Sequence, residues 1–161
     1  MKTLTEITLT DLAATRAFAA RFAPLLRTGD VVAFDGSLGA GKTEMCRAII
    51  QSLGFPDEVP SPTFNLVQIY TPPLEDPATP IIWHMDLYRL EQPEDAFELG
   101  IEEAFDTAVS LIEWPSRLGP YLPDGFLTLR LEMAARGGVR QLTIIGDEVW
   151  RARLGTIIDD E

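Results

Sequence analysis

Apolar positions along this chain repeat with two different periods, and the switches between them predict an alternation of strands and helices. Thr10-Asp11 offers an N-cap, after which Leu12, Ala13, Thr15, Phe18, Ala19 and Phe22 recur at helical spacing toward Pro24. Asp30 to Phe34 is a short β-branched and aromatic run, which predicts a buried strand. Thr43 to Leu53 reads as a helix, with Gly54 where a C′ glycine would end it. Ser61-Pro62-Thr63-Phe64 opens a strand-like run through Tyr70, and the proline-rich stretch from Thr71 to Pro80 predicts an exposed loop or hairpin turn.

Ile81 to Asp86 and Ala108 to Glu113 are apolar strands, each ending in a carboxylate. Between them, Glu91 to Asp106 predicts one amphipathic helix with Phe97, Ile101, Ala104 and Phe105 on its inner face. Phe126 to Met133 and Gln141 to Ile145 predict a late antiparallel pair across Arg136-Gly137-Gly138, and Asp147 to Ile158 a closing helix. No repeat, low-complexity segment or linker interrupts the pattern. The expectation is a single α/β domain over residues 1–161.

One segment adds chemistry. Gly36 to Thr43 reads GSLGAGKT, which meets the pattern G-x-x-x-x-G-K-[ST] with Gly39 as an additional glycine and Ala40 before the last one. Gly36, Gly39 and Gly41 let the backbone curl so that consecutive N–H groups face phosphate oxygens. The helix that follows adds the positive end of its dipole. Lys42 would neutralise the β- and γ-phosphates, and the Thr43 hydroxyl would ligate Mg²⁺. An apolar strand before the loop and a helix after it supply the context such a loop requires. ATP and Mg²⁺ are therefore the expected ligands, and the expected fold is a P-loop NTPase-like three-layer α/β/α sandwich. Its central sheet would be mainly parallel, with late antiparallel strands.

A P-loop enzyme also needs a carboxylate at a neighbouring strand end to hold the metal. Asp86 and Glu113 are the two candidates, because strand C-termini converge on the ligand crevice in such sheets. Thr63, its approach stiffened by Pro62, is a candidate for a second hydroxyl contact with the metal or the γ-phosphate. Trp114 follows a candidate metal carboxylate and is placed at the nucleotide site. His84 reads as a packed, hydrogen-bonded residue on the same strand face as Asp86, and Cys46 reads as core.

Charge narrows the function. Thirteen basic side chains against 25 acidic ones give a net charge of −12, and only Lys2 and Lys42 are lysines. No basic stripe is visible, so neither DNA nor tRNA is expected to be gripped directly. No apolar run approaches the roughly 18 residues that span a bilayer. The first residues lack the apolar stretch of a signal peptide, and a lone cysteine excludes an internal disulfide. Both suit the cytoplasm. Seven acids and no base between Glu91 and Asp106 make either a solvated face or a docking surface for a basic partner.

Three P-loop classes remain to be sorted. A GTPase would carry an N-K-x-D segment, and neither lysine is available for one. A small-molecule kinase needs an arginine-rich lid, which Arg136, Arg140, Arg151 and Arg153 would supply. A regulatory ATPase would use its nucleotide state to control a complex.

The ordered set of GSLGAGKT, SPTFNLV at 61–67, HMDLYRL at 84–90 and LIEWPSRLG at 111–119 resembles the TsaE (YjeE) family through most of the chain. The resemblance implies an ATPase needed for N6-threonylcarbamoyladenosine (t6A) in tRNAs that read ANN codons. It would act on a complex of the proteins TsaB and TsaD and meet tRNA only through them. It further implies that Thr43 and Glu113 hold Mg²⁺, that Gly39 to Thr43 bind phosphates, and that Asp86 lies at the nucleotide site. Thr63 would belong to a switch-like segment, and Thr10 and Leu12 would lie near the adenine. Asp86 and then Thr63 are the expected orienters of the attacking water. The chain departs from the family pattern at Ser37, at Glu44 and at a late Gly-Arg motif that reads Gly137-Gly138-Val139-Arg140.

Overall fold

The computed structural model describes residues 1–55, 66–134 and 137–159. Thr63 and Arg136 lie outside the described residues, so the expectations placed on them are not addressed by the fold.

The first helix, α1 (Leu12–Phe22), begins as its sequence dictates, with the Asp11 carboxylate accepting from the Ala14 amide at 2.8 Å. Its buried stripe is Thr15, Phe18, Ala19 and Phe22, and the Phe18 and Phe22 rings stack one turn apart, 5.4 Å between centroids. The second helix, α2 (Lys42–Ser52), buries Met45, Cys46, Ile49 and Ile50. It stops where Gly54 enters the left-handed region at φ +93° and its amide bonds back to the Gln51 carbonyl.

Seven strands form one sheet: β1 (Lys2–Leu9), β2 (Val31–Asp35), β3 (Val67–Tyr70), β4 (Ile82–Asp86), β5 (Val109–Glu113), β6 (Leu127–Met133) and β7 (Arg140–Gly146). Their spatial order is β1-β7-β6-β2-β5-β4-β3. The four central strands β6, β2, β5 and β4 are mutually parallel, while β1, β7 and β3 pair antiparallel outside them. Alternate residues of the buried strands serve two cores. Val32, Phe34 and Leu111 face α1 and α2, whereas Met85 and Ile112 pack with Leu90, Ile101, Ala104 and Leu118 on the other face. Helices therefore lie on both sides of the sheet, in the expected three layers.

Three expectations change. The N-terminal segment, not assigned to any element from its sequence, is β1, zipped along the whole of β7 from Lys2↔Gly146 to Leu9↔Arg140. The single helix expected over Glu91 to Asp106 is two pieces, a 3₁₀ segment at Pro93–Leu99 and α3 (Ile101–Thr107). Pro93 and a reciprocal cap between Gln92 and Asp95 start the first piece, and Gly100 at φ +91° ends it. A Cβ at Gly100 would press on the Trp83 ring at 3.2 Å, so the break is built around that indole. The break also turns Phe97 outward, where it is 40% exposed and packs edge-on against Tyr121 rather than inside. The closing helix is likewise divided, with Asp147 capping α4 (Glu148–Arg153) and α5 (Gly155–Ile158) following. Among the described residues no helix is long and apolar enough to cross a membrane.

Candidate functional site

β2 delivers the chain to the phosphate loop, and the loop takes its shape from its glycines. Gly36, Gly39 and Gly41 have φ of +146°, +79° and +102°. Gly36 has a second constraint, because a Cβ there would run into the carbonyl oxygen of Leu131 on β6. The loop is thus pressed against the neighbouring strand, and α2 starts directly beneath it.

Lys42, at the first position of α2, is only 5% exposed. Its Nζ donates to the carbonyls of Gly36 and Ser37 and lies 3.9 Å from the centroid of the Trp114 ring. Burial lowers its pKa below the usual 10.5, against the opposing pull of the Glu113, Asp35 and Asp86 carboxylates. Trp114 reaches this position through a left-handed backbone at φ +59°, which turns the chain sharply after β5 and aims the indole across the loop. The Tyr88 ring packs on the same indole at 4.9 Å.

Asp86 and Glu113 are cross-strand partners at the C-terminal ends of adjacent parallel strands, 6% and 2% exposed. Both oxygens of Glu113 are engaged: Oε1 accepts from the Thr43 hydroxyl at 2.8 Å, and Oε2 lies 2.7 Å from Nε2 of His84. Asp86 Oδ1 accepts from the Tyr88 amide at 3.1 Å. A buried carboxylate sharing a hydroxyl group with the first turn of a P-loop helix is an all-oxygen donor pair, and it fits a hard cation such as Mg²⁺. Sequence reasoning took His84 as packed and hydrogen-bonded, and the fold gives it Glu113 as that partner.

Two cavities open on either side of the loop. A larger one of about 440 Å³ is lined by Thr10, Leu12, Ala40 and Gly41, along with Leu131 and Arg140. A second of about 360 Å³ is lined by Lys42, Thr43, Asp86, Glu113 and Trp114, and it too reaches Gly41 and Arg140. The two share the loop as a common wall, which is the arrangement a nucleoside and its phosphates require. The expected residues Thr10, Leu12, Gly39, Ala40, Gly41, Lys42, Thr43, Asp86, Glu113 and Trp114 all line one cavity or the other; Gly36 shapes the loop from behind.

Some lining residues were not singled out from the sequence for this role. Tyr88 and Arg89 enter the second cavity from the turn after β4; both stand in the HMDLYRL stretch that carries the family resemblance, which assigns them no role of their own. Arg140, at the start of β7, donates to the Gly39 carbonyl at 3.3 Å and borders both cavities. Of the other arginines assigned to a kinase-type lid, Arg136 lies outside the described residues, and the remaining two are engaged elsewhere. Arg151 pairs with Glu148, and Arg153 makes a 2.6 Å bond to Asp30. Asp30 precedes β2, so it stands at the end of the sheet opposite the phosphate loop, about 17 Å away along that strand.

The family model for threonylcarbamoyl adenosine biosynthesis protein TsaE matches residues 9–142 of the chain. The chain belongs to the TsaE family. Among curated TsaE proteins, that of Rickettsia bellii is 41% identical over 120 residues, covering 74% of this chain and 80% of the relative. The TsaE protein of Rickettsia conorii is 37% identical over 153 residues, covering 94% and 84%. The crystal structure of Bacillus subtilus YdiB superposes with a TM-score of 0.77 at 24% identity, covering 97% of this chain and 94% of that one. At that identity the likeness bears on the fold, which is the P-loop NTPase-like architecture expected of a TsaE protein. The matched span runs from Leu9, ahead of the first cavity, to Leu142 on β7 and therefore includes every lining residue of both cavities.

Proposed function

We propose that this TsaE-family chain is a magnesium-dependent ATPase of t6A biosynthesis, acting on a TsaB–TsaD complex in the cytoplasm. The observation that carries the reading is the meeting of Lys42 and Thr43, from the loop, with Glu113, from the adjacent strand, inside one cavity wall. The adenosine occupies the larger cavity against Thr10, Leu12 and Ala40, and the phosphates cross Gly41 into the second. Lys42 balances charge on the β- and γ-phosphates there, with Trp114 stacked beside the ammonium. Thr43 and Glu113 hold Mg²⁺, which supplies charge neutralisation at the phosphate oxygens when bound. His84 keeps the Glu113 carboxylate aimed by bonding the oxygen that Thr43 does not use. Asp86, at the neighbouring strand end, is the best-placed described residue to orient the attacking water; Thr63 remains its alternative.

The net charge of −12 supports a protein that reaches tRNA through partners rather than by itself. The test is t6A formation on an ANN-reading tRNA by TsaB and TsaD, supplied with threonylcarbamoyl-adenylate, with and without this chain and ATP. Stimulation that Lys42→Ala abolishes is the expected result. No stimulation, together with phosphate transfer to a small acceptor, would replace this reading with a kinase.

A further inference from the structure

The Glu113 carboxylate and its partner His84 stand beside a buried thiol, Cys46, that the nucleotide chemistry does not use. Cys46 from α2, His84 from β4 and Glu113 from β5 each present one ligand-type atom, and the three atoms lie within 4.8 Å of one another. Cys46 and His84 are fully buried and Glu113 is 2% exposed. Nδ1 of His84 is also buried and has no hydrogen-bond partner among the described residues. Glu113 faces Nε2 of the ring, and no bond at Nδ1 fixes the tautomer, so the ring proton is able to sit on Nδ1 and leave the Nε2 lone pair to a cation at the cluster.

We propose that Cys46, His84 and Glu113 form a binding site for a borderline or soft divalent cation, Zn²⁺ or Cd²⁺, beneath the phosphate loop. One sulfur, one imidazole nitrogen and one carboxylate oxygen are the ligands that zinc selects, whereas magnesium takes oxygens alone. In a tetrahedral site with ordinary zinc bond lengths, such ligand atoms stand about 3.3–3.6 Å apart. The cluster reaches that spacing by shifts of about 1 Å: the 2.7 Å His84–Glu113 bond opens and the wider separations close. Charge closes as well. The cation displaces one proton from the Cys46 thiol to solvent, and thiolate plus carboxylate then balance its two positive charges in a buried site. Glu113 lines the second cavity, so the path inward is the same opening that the phosphates would use.

The consequence rests on the proposed function: a cation held by Cys46 and His84 draws Glu113 away from Thr43 and so opposes magnesium. Cysteine at this place in α2 would make the enzyme sensitive to thiophilic metals without any change in the phosphate loop.

The full chain, titrated with Cd²⁺ in the absence of nucleotide, tests the site by native mass spectrometry and thiolate-to-cadmium charge-transfer absorption. Cys46 is the lone cysteine, so that band has one possible source. One cadmium per chain, the band, and one proton released are expected. Cys46→Ala and His84→Ala should each weaken binding by more than roughly tenfold, since loss of an outer-shell partner alone costs that much. Absence of the band in the wild type, or equal cadmium affinity in folded Cys46→Ala, would overturn the site. A second arm measures Mg–ATP binding with and without cadmium. Cys46→Ala should bind Mg–ATP normally and resist suppression by cadmium. If no variant binds Mg–ATP while the band persists, the nucleotide reading fails and the metal site stands.

Discussion

The Thr43 hydroxyl donates to Oε1 of Glu113 across 2.8 Å, joining residues 70 positions apart in the chain. The bond ties the first turn of α2 to the end of β5, and it sets a hydroxyl and a carboxylate side by side at the floor of one cavity. Replacing Glu113 by Gln removes the charge at nearly constant shape and turns one of its two acceptor oxygens into a donor NH2, leaving a single oxygen to accept from Thr43 or face His84. ATP affinity in the presence of Mg²⁺ should fall by roughly 10–100-fold, with affinity for metal-free ATP nearly unchanged. Calorimetry with and without magnesium reads both, and an equal loss in the two would deny Glu113 a metal role.

Lys42 is held by loop carbonyls and the Trp114 face at a position where burial already disfavours its charge. Lys42→Ala should cut ATP turnover by at least about 100-fold, as removing one preorganised charge donor typically does. Stability should change far less. A steady-state hydrolysis assay beside a thermal melt separates the two effects, and a turnover near wild type would remove the lysine from the site.

Gly36 cannot accept a side chain without moving the Leu131 carbonyl or the loop. Gly36→Ala should cost about 2 kcal/mol through strain and overpacking. For a chain of this size that lowers Tm by roughly 4–8 °C. Differential scanning calorimetry measures it, and a melt identical to the wild type would mean that the loop yields freely.

Arg140 touches both cavities and bonds the Gly39 carbonyl. A hydrogen bond to a charged partner contributes about 1.5–3 kcal/mol. Arg140→Ala should therefore weaken ATP binding by roughly 10- to 150-fold. AMP should be affected less than ATP, if the guanidinium serves phosphate rather than base; equal losses would point to the base.

Burial pushes the Cys46 thiol well above its usual 9.0. The folded protein then keeps a proton that the unfolded chain gives up above that pH, so stability is full below about 9 and declines as pH rises beyond it. Denaturant melts from pH 7 to 10.5 should show wild type losing stability relative to Cys46→Ala over the upper part of that range. Parallel profiles would mean that the thiol is not protonated more strongly in the fold.

Features with short-range causes were legible in the sequence. The Asp11 cap, the glycine loop and the carboxylate-terminated strands at Asp86 and Glu113 each follow from local residue types, and the parallel sheet then brings them together. What escaped depended on partners distant in the chain. β1 alternates poorly because an irregularity in its pairing with β7 between Thr3 and Thr5 shifts the phase, so that Leu4 and Leu9 both reach the core although five positions apart. The break at Gly100 answers to Trp83, 17 positions earlier, and no helical period reports such a contact. The sequence marks Arg140 as a lid arginine and as part of a departing Gly-Arg motif; its place between the two cavities comes from the β6–β7 register, which its neighbours in sequence do not specify.

The antiparallel margin of the sheet has a consequence for how the chain can be cut. β1 is bonded only to β7, and it leads directly into Thr10 and Leu12, while β7 opens with Arg140. The larger cavity is therefore roofed by segments from the two ends of the chain, whereas its floor comes from the parallel core. A protease clipping before Asp11 would strip Leu4 and Leu9 from the first core and unroof the cavity proposed for the base, yet leave Lys42, Thr43 and Glu113 in place. Such a fragment should hold inorganic polyphosphate better than it holds adenosine, separating by simple trimming the two halves of the nucleotide.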